Sequence, residues 1–136
     1  MAVMGASHTA TLVSAYLSAL ERADLDAVLK LFVPGATVHS PLYGTKSASE
    51  FFPEVFADTS RAELHLRGVM EGRGAEGQRL VSFWFRYDWW MASGTPAPFD
   101  VVDLAELGDD GRITTLRIVY DTVDVRPKYE AELAAR

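Results

Sequence analysis

The side chains able to move a proton or grip a polar ligand sit in a few short stretches. "TVHSPLYG" (37–44) offers His39, Ser40 and Tyr43 in a β-prone run closed by Pro41 and a Tyr-Gly turn. A histidine titrates at about 6.5 when unperturbed, so His39 is the obvious neutral-pH base of that stretch. A serine hydroxyl titrates far higher, and Ser40 removes no carbon-bound proton without an activating base of its own. "FRYD" (85–88) sets Arg86 and Asp88 two residues apart, on one side of any strand. "FDVVDLA" (99–105) interrupts an apolar run with Asp103. A carboxyl desolvated there has a raised pKa and can give up a proton or a hydrogen bond at neutral pH.

The elements that must position these groups follow from periodicity. Leu12, Val13, Tyr16, Leu17 and Leu20 recur at helical spacing, with Ser7 or Thr9 as candidate caps. "ADLDAVLKLF" predicts a short second helix capped by Asp24, with Leu25, Val28, Leu29 and Phe32 inward; "PGA" (34–36) then ends helical structure. A strand over 36–40 follows, and "KSASEFFPEVFAD" predicts a third helix with Ser47 or Ser49 near its cap and Pro53 early enough to be tolerated. After Asp58 the period falls to two: "RAELHLRGVMEG", "RLVSFWFRYDWWM", "PFDVVDLAEL" and "RITTLRIVYDTV" predict four strands. Their separators "GRGAEG", "ASGTPA" and "GDDG" carry hairpin-turn residues. Helices first and an antiparallel meander after make an α+β chain, one domain over 1–136. The tail "RPKYEAELAAR" predicts a last helical turn or a frayed end.

Alternation assigns the faces of the third-helix-to-meander region. On "LVSFWFRYDWW", Val81, Phe83, Phe85, Tyr87 and Trp89 share a continuously apolar face, as a core or a subunit interface would. Ser82, Trp84, Arg86, Asp88 and Trp90 share the other, which mixes rings with charges and is read as the cavity face. The plainer alternative for Arg86 and Asp88 is a solvated ion pair. For Asp103 it is an exposed position paired to Arg117, and for Tyr16 simple packing in the core. A buried phenol needs a partner, and Asp103 is the candidate.

Composition narrows the function classes. With 136 residues, net charge −6 and no cluster of Lys or Arg, nothing is available to neutralise a phosphate backbone, so nucleic acid is excluded as the expected partner. Absence of cysteine rules out disulfides, thiol catalysis and cysteine-based zinc sites. His8, His39 and His65 have no metal-ligand spacing, and no bound metal is expected. No apolar run spans a bilayer and the start "MAVMGASHTA" lacks signal-peptide features, so no membrane partner is expected and the expected location is cytoplasmic.

The stretches "AYLSALERADLDAVLKLFVPGATVHSP" (15–41) and "VVDLAELGDDGRITTLRIVYD" (101–121) resemble the cone-shaped α+β family named after nuclear transport factor 2. That family includes ketosteroid isomerases, SnoaL-like polyketide cyclases and limonene-type epoxide hydrolases. The resemblance implies a curved antiparallel sheet with three N-terminal helices packed on its concave face. It also implies that Tyr16 and Asp103 match the oxyanion-hole tyrosine and aspartic acid of the isomerases. The general base of the isomerases falls on Ser40, a departure that removes the familiar base. Asp103 also looks similar to the acid/base carboxylate of the cyclases. "FRYD" resembles the Arg-x-Asp of the epoxide hydrolases, but their second aspartate falls on Ile118. Tyr120 matches an aromatic pocket wall, and Asp121 reads as structural.

Together these imply a pocket for a small apolar molecule, polycyclic or ketone-bearing. Asp103 would be acid or relay, Tyr16 oxyanion donor, and Asp88, positioned by Arg86, the substitute base. Ser40, Trp84, Trp90 and Tyr120 would bind ligand; His39, one residue along, would face away. No cofactor is expected. The apolar face of the 80–91 strand suggests a homodimer. The alternatives are a non-catalytic binding or interaction module with the same cone, and a limonene-type epoxide hydrolase.

Overall fold

The computed structural model describes residues 6–136, with side chains described from His8 onward. Helix α1 (Ala6–Arg22) turns its stripe of Leu12, Val13, Tyr16, Leu17 and Leu20 into the core, where each is buried. Thr9 lies inside this helix and does not cap it, and the side chain of Ser7 is outside the described residues. Helix α2 (Leu25–Leu29) starts at Asp24, whose carboxylate accepts from the Ala27 N–H at 3.0 Å, as a cap of this type should.

Strand β1 (Phe32–Ser40) begins earlier than periodicity suggests, taking Phe32 out of the expected second helix. Pro34 and Gly35 interrupt its ladder rather than precede it: Gly35 has φ +78°, and the register against its neighbour shifts between Phe32 and Thr37. A short strand β2 (Gly44–Ser47) pairs back on β1, unsignalled by any alternation in its four residues. Helix α3 (Ala48–Ala57) follows with Ser47 at its N-cap position, the Ser47 hydroxyl reaching Glu50 at 2.8 Å instead of a backbone N–H.

The four predicted strands form as β3 (Thr59–Arg73), β4 (Arg79–Met91), β5 (Phe99–Leu107) and β6 (Ile113–Val119). They make an antiparallel meander, and the open six-stranded sheet runs β2-β1-β6-β5-β4-β3. One feature departs from the expected antiparallel sheet: β1 joins β6 in parallel, the chain coming back to the side of β1 only after α3 and the first three strands of the meander. The tail forms a full ten-residue helix, α4 (Val125–Ala134).

The helices cover one face of the sheet. On β4 the residues Val81, Phe83, Phe85, Tyr87, Trp89 and Met91 are all buried, and the facing residues Val101, Asp103, Ala105 and Leu107 of β5 are buried with them. Tyr16 of α1 meets Phe83 edge-on at 5.4 Å, and Phe52 of α3 closes against both Tyr16 and Phe32. Each such ring, fully removed from water, contributes about 2–3 kcal/mol.

Candidate functional site

The core is not filled completely. Between α1, α3 and the inner sheet face lies a cavity of about 500 Å³ counting its open mouth. Its walls are mainly rings: Phe85, Tyr87 and Trp89 from β4, Phe99 from the start of β5, Phe51 from α3, and Tyr120 just past β6. Phe99 stacks on Tyr120 at 4.2 Å and on Tyr87 at 5.1 Å, so three near-parallel rings form one side.

Into this apolar space project Tyr16 and Asp103. Strand alternation puts Asp103 inward, opposite Phe83 on one side and Ile118 on the other, and leaves it 2% exposed. Tyr16 and Asp103 are hydrogen-bonded to each other, and the Asp103 Oδ1 atom has no protein partner. Burial drives the Asp103 pKa up from 3.8 to about 8, against the pull of the Tyr16 hydrogen bond. The carboxyl is therefore protonated at neutral pH and offers a donor or acceptor at Oδ1. Burial and the neighbouring carboxyl likewise raise Tyr16, which keeps its proton. The exposed alternative for Asp103, paired with Arg117, does not describe this arrangement; Arg117 instead reaches Glu106 at 3.6 Å.

Ser40 ends β1 at the cavity wall. Its Oγ accepts from the N–H groups of Leu42 (3.2 Å) and Tyr43 (3.1 Å), which ties down the turn after Pro41 and leaves its own proton free. His39 stands on the other side of the sheet, opposite Arg117 and bonded to Thr45 Oγ1 at 3.0 Å. Asp121 is structural, accepting the Val123 N–H at 2.9 Å.

The expected cavity face of β4 is the outer face of the sheet. Arg86, Asp88, Trp84 and Trp90 line no part of the cavity; the face read as core or interface lines it instead. Asp88 bonds to Arg86 at 2.9 Å and to His65 at 3.1 Å, and the Arg86 hydrogen bond holds its carboxyl below the usual range. Trp84 is 43% exposed beside Arg67, and Trp90 lies under Arg61 at 4.7 Å. The physical reason is the cost of desolvating an ion pair: a face carrying Arg86 and Asp88 goes to water, and the all-ring face goes inward. Asp88 thus cannot be the base for a ligand in the cavity, and the Arg-x-Asp of the hydrolase reading points away from it.

The same outer face brings Glu63, His65 and Asp88 within 4.8 Å of one another through the β3–β4 register, a grouping invisible to spacing along the chain. Its carboxylates are already engaged, Glu63 by Arg61 at 2.6 Å and Asp88 by Arg86.

Sequence reasoning missed most of the ring walls and one polar group, Asp58. This carboxylate, 5% exposed, accepts the Tyr43 hydroxyl at 2.7 Å and pairs with Arg136 at 2.8 Å. Joint alternation of β4 and β5 would have found the walls, because Phe85, Tyr87 and Trp89 share their face with Val101 and Asp103.

An open curved sheet with helices on one face, closed around an aromatic cavity with one buried carboxyl, defines the cone-shaped class related to nuclear transport factor 2. Within it, the SnoaL-like domain family matches residues 13–116, and the chain belongs to that family. Solved structures agree on the fold. The chain superposes on AclR, a proposed hydroxylase from Streptomyces galilaeus, with a TM-score of 0.73, 13% identity and coverage of 93% of this chain and 98% of that one. SalBIII, described as an epoxide hydrolase/cyclase-like enzyme in pyran ring formation in salinomycin, gives 0.69 and 17%, covering 87% and 94%. TerC, crystallised with polyporic acid, gives 0.68 and 21%, covering 94% and 98%. No helix among the described residues is long and apolar enough to cross a membrane.

Proposed function

We propose that this protein binds a small, uncharged, largely apolar molecule bearing a carbonyl or enol oxygen, and acts on it by cofactor-free proton transfer: an isomerisation, a cyclisation or a dehydration. Asp103 carries the reading. Among the described residues it is the only carboxyl in a cavity lined by no His, Lys or Arg, it is mostly protonated at neutral pH, and one of its oxygens is unpartnered. An anionic ligand would enter a low-dielectric site with no cation to receive it, which favours a neutral one. Tyr16 serves as the donor to the ligand oxygen once that oxygen displaces Asp103 as the partner of its single hydroxyl proton. Ser40, with a free proton, and Tyr120, a ring wall, are the further ligand contacts.

With Asp88 outside, Asp103 has to act as both acid and base. A carboxyl that titrates at about 8 is mostly acid at neutral pH with a minor carboxylate fraction, close enough to the working pH for proton transfer in both directions. As carboxylate it takes the proton from a carbon beside the carbonyl, and the C–H electron pair moves toward the oxygen held by Tyr16. Returning that proton at another carbon completes an isomerisation.

The test is exchange of the α-protons of 1-indanone in D2O, followed by proton NMR. Wild type should speed exchange over buffer, and Asp103→Asn should not, while still binding the ketone. Exchange at the buffer rate in wild type defeats the catalytic reading. A non-catalytic binding module is then the better account, favoured by Ser40 at the position before Pro41, where its oxygen is occupied by two backbone N–H groups.

A homodimer and a cytoplasmic location remain part of the proposal. The apolar face first expected to form a dimer is buried in the monomer, so a second copy would have to meet the outer face, where Trp84, Met70 and Val119 are exposed. The absence of cysteine supports the location.

A further inference from the structure

The enclosed part of the cavity is too tight for the ligand just proposed. Behind its open mouth it holds only a few waters, so a bicyclic ketone seated fully inside requires some wall to move. Most of the wall belongs to the paired sheet and to helices α1 and α3. The exceptions are Leu42 and Tyr43 in the turn between β1 and β2, and Tyr120 beyond β6.

That turn is held from outside by α4, and mostly through polar contacts. Arg126 donates to the Pro41 carbonyl at 2.6 Å, and the ring of Tyr129 packs on Tyr43 at 5.4 Å. Asp58 ties the two together, accepting from Tyr43 at 2.7 Å and, on the other side, pairing with Arg136 at 2.8 Å, just past the end of the helix. Glu132, mostly buried, accepts the Ser93 N–H at 2.9 Å in the β4–β5 turn. Against these, the helix buries few apolar groups: Val125 alone of its apolar residues is fully buried, and Leu133 is 42% exposed. An element with little apolar burial and several half-exposed polar ties opens at a small fraction of the global unfolding free energy.

We infer that α4 is a latch on the cavity wall: α4 and the Pro41–Tyr43 turn open as one unit, without unfolding the sheet, and this opening admits the ligand. The need for opening rests on the proposed ligand; the coupled opening rests on the contacts alone.

Hydrogen exchange by mass spectrometry on the full chain tests it, comparing wild type with Arg136→Ala. Arg136 is half exposed, so its loss removes the shorter of the two ties from α4 to Asp58, leaving the 3.5 Å contact of the Tyr129 hydroxyl, without opening the core. Amides of 125–134 and of Leu42 and Tyr43 should exchange faster in the variant by a common factor of about three to ten, while those of β4 are unchanged. If β4 accelerates equally, or the 42–43 amides do not respond, the latch is wrong. Stopped-flow binding of the neutral fluorescent ketone prodan reads gating. Its association rate should rise in Arg136→Ala by the same factor, and an unchanged rate with faster exchange overturns the gating. Absence of prodan binding alongside the expected exchange pattern supports the coupled opening and defeats the ligand reading instead.

Discussion

Replacing Asp103 by Asn should make the protein more stable in alkali, even though it removes the residue on which the proposed chemistry depends. The carboxyl titrates at about 8 in the folded chain against 3.8 unperturbed, raised by burial among Phe83, Ile118 and Tyr16. Between these two values the folded state holds a proton that the unfolded chain has released. Unfolding therefore gives up a proton, and stability falls as pH rises from about 4 to 8. A rise of about four units at ~1.4 kcal/mol per unit is on the order of 5 kcal/mol, comparable to the whole stability of a small domain. Asn has nearly the same shape, keeps a polar contact to Tyr16 and cannot ionise. Urea unfolding of wild type and Asp103→Asn at pH 5, 7 and 9 measures the difference. At pH 5, about one unit above the unfolded value, the variant should be more stable by only about 1–2 kcal/mol, and at pH 9 by about 5. Parallel stability curves across this range would mean that Asp103 ionises as an ordinary surface carboxylate, and the argument for a proton-bearing acid in the cavity would fail.

Tyr16→Phe removes the hydrogen bond that favours the Asp103 carboxylate, so the carboxyl pKa should move further up, seen as an upward shift in its carbon-13 NMR titration. Asp88→Asn, on the outer face, should leave 1-indanone exchange and prodan affinity within about twofold of wild type, since solvent-exposed pairs contribute little. A tenfold loss would return Asp88 to the site. Phe83→Ala, beneath Tyr16, should cost about 3–5 kcal/mol in chemical denaturation. Trp84→Glu should convert any dimer to monomer in light scattering while the circular dichroism spectrum is retained; a dimer that survives does not use the outer face.

Much of the fold is legible in the chain because local patterns and the final topology agree. The stripe from Leu12 to Leu20 allows only an amphipathic helix, Asp24 caps the next one, and the four alternating runs after Asp58 can bury their rings only as paired strands. What was missed is weakly encoded locally. β2 is four residues of Gly, Thr, Lys and Ser that become a strand only because β1 offers an edge. Helix α4 carries little apolar periodicity and is set by Arg126, Glu132 and Arg136 meeting partners far away in sequence.

The sequence by itself determined that Tyr16 would be inward, because a helical stripe leaves one face for apolar company; for Asp103 the residues left an exposed position open, and only the family resemblance pointed it inward. The sequence also determined that no ordinary base precedes Pro41, since Ser40 stands there. It could not choose between the two faces of β4: alternation separates Phe85 from Arg86 without saying which side α1 and α3 will cover. Only the packed structure decided that, placing the rings against the helices and the ion pair in water. The same packing created the cavity, left Asp103 Oδ1 unpartnered in it, and joined Asp58 to Tyr43 and Arg136 across 15 and 78 residues. Such contacts come from the three-dimensional crossing of elements, and no local spacing records them.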